Sequence, residues 1–93
     1  MKRLFWTPEA IGGLATLRTY YTRLGADETA QQYGLTLLEA AAALPPMPHR
    51  GRVGRVPGTR ELLIPHLPYL LIHRITDEQI EILGVLHHAQ EWT

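Results

Sequence analysis

The sequence predicts a single α+β domain, with an N-terminal strand and a helical hairpin packed on a mainly antiparallel sheet that ends in a three-stranded meander. Three observations predict it. Two stretches of apolar residues recur at 3–4-residue spacing across residues 10–44. A proline- and glycine-rich stretch follows at 45–58. Three runs rich in Leu, Ile and Val then come in close succession to residue 87, separated by short turn signals. Ninety-three residues leave room for one domain spanning 1–93 and for a small core.

Leu4-Phe5-Trp6, after a basic start, reads as the first strand. Thr7-Pro8-Glu9 is a helix start: Thr can cap, Pro suits the first helical position, and Glu complements the dipole. The first helix is expected to run to about Leu24 and stop at Gly25, with a stripe of Ala10, Leu14, Leu17, Tyr21 and Leu24. Gly12 and Gly13 inside it cost roughly 1 kcal/mol each relative to Ala, so they either weaken the first turns or admit a close backbone approach. Asp27 is expected to cap a second helix with the stripe Ala30, Tyr33, Leu37, Ala40 or Ala41, and Leu44, ended by Pro45-Pro46.

Residues 45–58 form a stiff basic loop with four prolines, three glycines and three arginines. The strands of the meander are expected at Arg60–Ile64, Tyr69–Ile75 and Gln79–His87. With tight turns, Arg60 faces His73, Ile64 faces Tyr69, Arg74 faces Glu81 and Ile75 faces Ile80. One face then carries Leu62, Ile64, Tyr69, Leu71, Ile75, Ile80, Ile82, Gly84 and Leu86, with Arg60 and His73 at one end. The other carries Glu61, Leu63, Leu70, Ile72, Arg74, Glu81, Leu83, Val85 and His87. A one-residue slip would exchange the two sets. If the second face is exposed, its apolar residues form a patch that a partner would cover; alternatively the 45–58 loop and the C-terminal tail fold over it.

Composition narrows the function. Nine basic residues balance nine acidic ones, which argues against coating a long stretch of nucleic acid. The charge is nevertheless uneven: residues 49–76 hold five arginines against Glu61 alone, and 77–93 hold four acids with no Lys or Arg. Cysteine is absent, excluding disulfides, zinc ribbons and thiol chemistry. Serine is absent too, excluding a serine nucleophile. No apolar run approaches the ~20 residues that span a bilayer, and Glu9 breaks any signal-peptide core. A soluble, cytoplasmic protein with no membrane contact is expected. The five histidines show no metal-ligand spacing, so no metal is expected, and no phosphate-cradling loop calls for a cofactor.

Arg60, at a strand start after Gly58-Thr59, can grip a phosphate or carboxylate bidentately, or simply pair with Glu61, Glu39 or a C-terminal carboxylate. Arg74 has a cross-strand partner in Glu81. His87 could act as acid or base, or be a hydrogen-bonded histidine at a sheet edge.

Trp6-Thr7-Pro8-Glu9-Ala10, Gly51-Arg52, Gly58-Thr59-Arg60-Glu61-Leu62, Pro68-Tyr69, and Ile82-Leu83-Gly84-Val85-Leu86-His87 ahead of Trp92 stand in order along nearly the whole chain. This ordered set resembles the RelE/ParE superfamily of toxins from type II toxin–antitoxin systems, on the ParE-like side. The resemblance implies a toxin, paired with a small ParD-like or other antitoxin in a hetero-oligomeric complex, that inhibits DNA gyrase by binding and needs no catalytic residue. It implies Arg60, His87 and Trp92 as target-binding residues. The alternative within the superfamily is ribosome-dependent cleavage of messenger RNA, for which Arg60, Arg74 and His87 would be the catalytic candidates. A further alternative is a degenerate, non-toxic protein that only pairs with an antitoxin. The single lysine and zero net charge depart from the dense basic face an RNase would need. The antitoxin is expected to meet Leu14 and Tyr21 on the hairpin, Leu63, Leu70, Ile72, Leu83 and Val85 on the sheet, and Arg50, Arg52 and Arg55 on the loop.

Overall fold

The computed structural model describes residues 2–88. The elements run β1 (Arg3–Trp6), α1 (Pro8–Arg23), α2 (Asp27–Ala42), β2 (Arg52–Val53), β3 (Arg60–Leu63), β4 (Tyr69–Ile75) and β5 (Gln79–His87). The five strands form one sheet in the order β1-β5-β4-β3-β2. β1 runs parallel to β5 and all other pairs are antiparallel. The α+β architecture expected from sequence is therefore the one observed, with β2 as an unanticipated edge strand.

The chain turns from β1 into α1 at Thr7. Its hydroxyl accepts from the Ala10 N–H at 3.2 Å, capping the helix, and donates to the Ile82 carbonyl at 2.8 Å. The Thr7 N–H reaches the same carbonyl at 3.1 Å. One residue thus caps α1 and ties its first turn to β5. Pro8 opens α1 and Glu9 lies in its first turn. Gly25, at φ 74°, takes the chain out of the helix.

The start of α2 differs from expectation. The cap position is Ala26, with no side-chain hydrogen bond, and Asp27 is the first helical residue. Asp27 and Glu28 instead place negative charge in the first turn, where it offsets the dipole. The helix also stops at Ala42, and the prolines fall in the turns beyond.

The core lies between the hairpin and one sheet face. Ala10 and Leu17 of α1, with Leu37, Ala41 and the following Leu44, pack on Leu62, Ile64, Tyr69, Leu71, Ile80, Ile82 and Val85. Leu37, Leu71, Ile80 and Ile82 are completely buried, each worth about 1.5–3 kcal/mol. Leu24, expected on the core stripe, is exposed.

Three of the four expected cross-strand pairs occur as strand partners: Arg60 with His73, Arg74 with Glu81, and Ile75 with Ile80. The fourth, Ile64 and Tyr69, closes the hairpin through a backbone hydrogen bond. Half of β5 is nevertheless turned over. His73 pairs with Ile82 but Ile72 pairs with Gly84, so Leu83 is an extra residue in a bulge. Beyond it the faces exchange. Val85 and His87, opposite Leu71 and Tyr69, lie on the helix side, whereas Gly84 and Leu86, opposite Ile72 and Leu70, lie on the other.

The expected exposed apolar patch is therefore not continuous. Val85 is under α1, and Leu70 and Ile72 are 2% and 0% exposed. Leu83 is half-buried, and only Leu63 is open to solvent. The basic segment folds over this face at Glu61, the cross-strand partner of Ile72.

The bulge also explains Gly13. A Cβ there would sit 3.3 Å from the Val85 carbonyl oxygen and 3.4 Å from its Cβ, so glycine lets α1 lie close on β5. Gly12 has open space beside it.

Candidate functional site: two grooves and a basic edge

Three surfaces present functional groups. The first is a groove of about 650 Å³ between α1 and the last half of β5. Its floor is Leu17 and the Leu83–His87 segment, with Thr16, Tyr20, Tyr21 and Tyr69 around it and Glu9 at one end. β1 ends opposite Ile82, so among the described residues no strand continues β1 alongside Leu83–Leu86. An aromatic row closes this groove at its Tyr69 end. Tyr21 and Tyr33 meet edge to face at 5.2 Å, Tyr33 and Tyr69 at 6.1 Å, and Tyr69 and the His87 ring at 5.5 Å. The Tyr69 hydroxyl donates to that of Tyr21 at 3.4 Å. Burial first, and then this bond, raise the Tyr69 phenol well above its ordinary value, so it stays protonated and acts as a donor.

The second surface is a groove of about 430 Å³ on the outer side of the helical hairpin. Ile11, Leu14, Ala15, Leu35 and Leu38 line it, with Arg18 as its single charge. Ile11, Leu35 and Leu38 are large apolar side chains about half exposed. A cleft of this composition suits the apolar face of a partner helix.

The third is the basic edge. Glu61 is only 1% exposed and holds two arginines. Oε1 accepts from Arg52 Nε and Nη2 at 3.2 and 3.0 Å; Oε2 accepts from the Arg55 N–H and Nε, both at 3.1 Å. Burial pushes the Glu61 carboxyl up, but the Arg55 N–H and the two guanidinium groups outweigh it and hold it below the ordinary carboxylate value. Beside it, Arg60 Nη2 donates to the Gly51 carbonyl at 3.0 Å. His73, completely buried, holds the Pro48 carbonyl at 2.9 Å through Nε2. Because a carbonyl only accepts, Nε2 carries the proton. Burial, and secondarily Arg60 and His49, pull the His73 imidazole below its ordinary value despite the Pro48 bond. The loop is thus tied to β3 and β4 by polar groups, while Met47 and Val53 face solvent.

The sequence-predicted residues separate into distinct places. Arg60 pairs with neither Glu61 nor Glu39; its strand partner is His73. Arg74 lies on the opposite face, bound through Nε to Glu81 at 2.9 Å. His87 stands opposite Tyr69, four residues along β4 from His73, or roughly 13 Å away along the strand. The candidate trio Arg60, Arg74 and His87 is therefore not brought together. Trp92 lies outside the described residues. Leu14 lines the outer hairpin groove, Tyr21 the α1–β5 groove, and Arg50 is exposed on the loop. Among the described residues no group of three His, Asp or Glu is placed to hold a metal ion.

Sequence reasoning missed the tyrosine row, the Glu61 clamp and the bulge. Two of these left a signal. Glu61 is the only acid among five arginines, the residue with most reason to be an internal counter-ion. Gly84, alone inside an apolar strand, is a common mark of a bulge.

Comparison with known proteins agrees with the fold and its extent. The family model for the ParE toxin of the type II toxin–antitoxin system parDE matches residues 4–92. The putative toxin Y4kP of Sinorhizobium fredii is 35% identical over 91 residues, covering 98% of this chain and 93% of that protein. A solved chain from the chromosomal ParDE system of P. aeruginosa superposes with a TM-score of 0.86 at 27% identity, covering 94% of this chain and 96% of that one.

Proposed function

Because the chain belongs to the ParE toxin family of type II toxin–antitoxin systems, we propose that it arrests growth by binding DNA gyrase in the cytoplasm and that a cognate antitoxin neutralises it. The observation that carries the binding mode is the separation of Arg60, Arg74 and His87. RNA cleavage needs a base, an acid and a cationic group around one phosphate. Here Arg74 is on the other sheet face, engaged with Glu81, and His87 is at the far end of β5. Zero net charge supports the same reading, since RNA held on a sheet needs a surplus of cations.

Neutralisation is supported by the two grooves. An antitoxin helix suits the outer hairpin groove, with Ile11, Leu14, Leu35 and Leu38 as its seat. An extended antitoxin segment suits the side of Leu83–Leu86 that lies beyond the end of β1, beside Tyr21. Among the described residues no helix is long and apolar enough to cross a membrane.

Induced expression in a bacterial host tests the reading. DNA breaks with SOS induction are expected. Immediate translation arrest with cleaved messenger would replace it with ribosome-dependent RNA cleavage, and unchanged growth with a non-toxic antitoxin-binding role.

A further inference from the structure

The outermost strand, β2, carries an arrangement that the gyrase and antitoxin roles do not by themselves require. Arg52 and Arg55 converge on the two oxygens of Glu61, one guanidinium to each. The carboxylate is buried, yet the arginine side chains are 58% and 46% exposed. Arg52 spends Nε and Nη2 on Glu61 and Arg55 its Nε, and about half of each side chain stays exposed. Two positive charges share one negative charge, so the clamp keeps a surplus cation, with exposed Arg50 beside it. The geometry is fixed from below, because the Arg55 N–H is bound to the same carboxylate.

The surroundings decide what such a grip takes. Leu63, two residues from Glu61 and on its face, is 49% exposed; Val53, opposite Arg60 and so on the other face of the edge, where alternate residues of an added strand would point, is 76% exposed. A phosphate backbone calls for cations in series. This edge instead interleaves arginines with large apolar side chains, and the one lysine, Lys2, is bound to the Thr76 and Asp77 carbonyls. Mixed basic and apolar character complements a peptide of mixed acidic and apolar character. β2 also leaves its outer side open to an added strand among the described residues.

We propose that Arg52 and Arg55, aligned by the positioning residue Glu61, form a carboxylate grip that receives an Asp or Glu of the antitoxin, with neighbouring apolar antitoxin residues on Leu63 and Val53. The proposal rests on the antitoxin reading above and adds to it a third contact surface, distinct from both grooves.

The test titrates the full chain with a fluorescein-labelled decapeptide alternating Glu and Val, read by anisotropy, with ten-nucleotide oligo-dT as competitor. Saturable binding that weakens as salt rises is expected, with no displacement by oligo-dT. Arg52→Gln with Arg55→Gln should weaken it at least tenfold. Arg52→Lys with Arg55→Lys keeps the charge but loses the planar fork, and should weaken binding while preserving the thermal melt. Glu61→Gln separates positioning from plain charge. It raises the net charge by one, so diffuse attraction predicts tighter binding, whereas an aligned grip predicts weaker binding. Absence of binding, displacement by oligo-dT, an unchanged Kd in the lysine variant, or tighter binding by Glu61→Gln would each overturn the proposal. Co-expression with the protein of an adjacent short reading frame keeps the two readings apart. A complex whose dissociation rate ignores the arginine variants rejects the grip and leaves the antitoxin reading standing; the absence of any complex rejects the antitoxin reading itself.

Discussion

At the scale of single residues, the polar groups beneath the loop set the acid stability of the domain. The Glu61 carboxyl is held below its ordinary value, so its contribution is present above about pH 4.5 and is lost as pH falls through the folded value. The His73 imidazole is also lowered. The unfolded chain therefore binds that proton first, and stability begins to fall below about pH 6.5. Urea denaturation at pH 7.5 and pH 5.5 should show a loss of stability in the wild type and a smaller loss in His73→Gln. Equal losses would show that His73 does not carry this pH dependence. Glu61→Ala strips both arginines of their acceptor. Because the arginines are half exposed and can rehydrate, the cost should be about 1–3 kcal/mol at pH 7, checked by the same denaturation. Arg60→Lys forfeits the geometry that reaches Gly51 and any bidentate hold on the target. Weaker toxicity in a folded protein is expected, and wild-type toxicity would leave Arg60 a loop anchor alone.

At the scale of elements, the glycine pair in α1 offers an internal contrast. Gly12→Ala adds a methyl group in open space and should stabilise by about 0.5–1 kcal/mol. That raises the melting temperature by several degrees in a domain of this size. Gly13→Val drives a branched side chain into Val85 and should lower it, with the shift read by circular dichroism melts. Equal shifts would mean that α1 is not seated closely on β5. These residues also mark where sequence reasoning stops. Period-2 and period-3.6 patterns gave the strands, the hairpin and three cross-strand pairs, because those depend on local alternation and turn chemistry. The bulge at Leu83 depends on how β5 fits beneath α1, a tertiary condition, so alternation alone puts Val85 and His87 on the wrong face. β2, two residues long, is too short for any periodicity; it exists because Glu61 draws Arg52 onto β3. The Asp27 cap failed for a related reason: Asp at a helix start satisfies the dipole as well inside the first turn as at the cap.

At the scale of the whole molecule, a chain of zero net charge buries one carboxylate to organise its basic loop and leaves two apolar grooves open. The candidate site was legible in part. Charge and stripe point to Arg50, Arg52, Arg55, Leu14 and Tyr21, and each is at the surface or lines a groove. Alternation alone points to Leu70, Ile72 and Val85 as well, and burial removes them from a partner's reach. If the outer hairpin groove seats an antitoxin helix, Ile11→Asp with Leu38→Asp should abolish co-purification of the antitoxin while leaving the fold intact, since neither side chain is buried. Retained co-purification would exclude that groove. Inhibition of gyrase without proton transfer is read in the supercoiling of relaxed plasmid by purified gyrase with the purified chain and its His87→Ala variant. Dose-dependent inhibition of equal strength by both proteins is the expected result. Unimpeded supercoiling at saturating protein, or inhibition that disappears with His87, would contradict it.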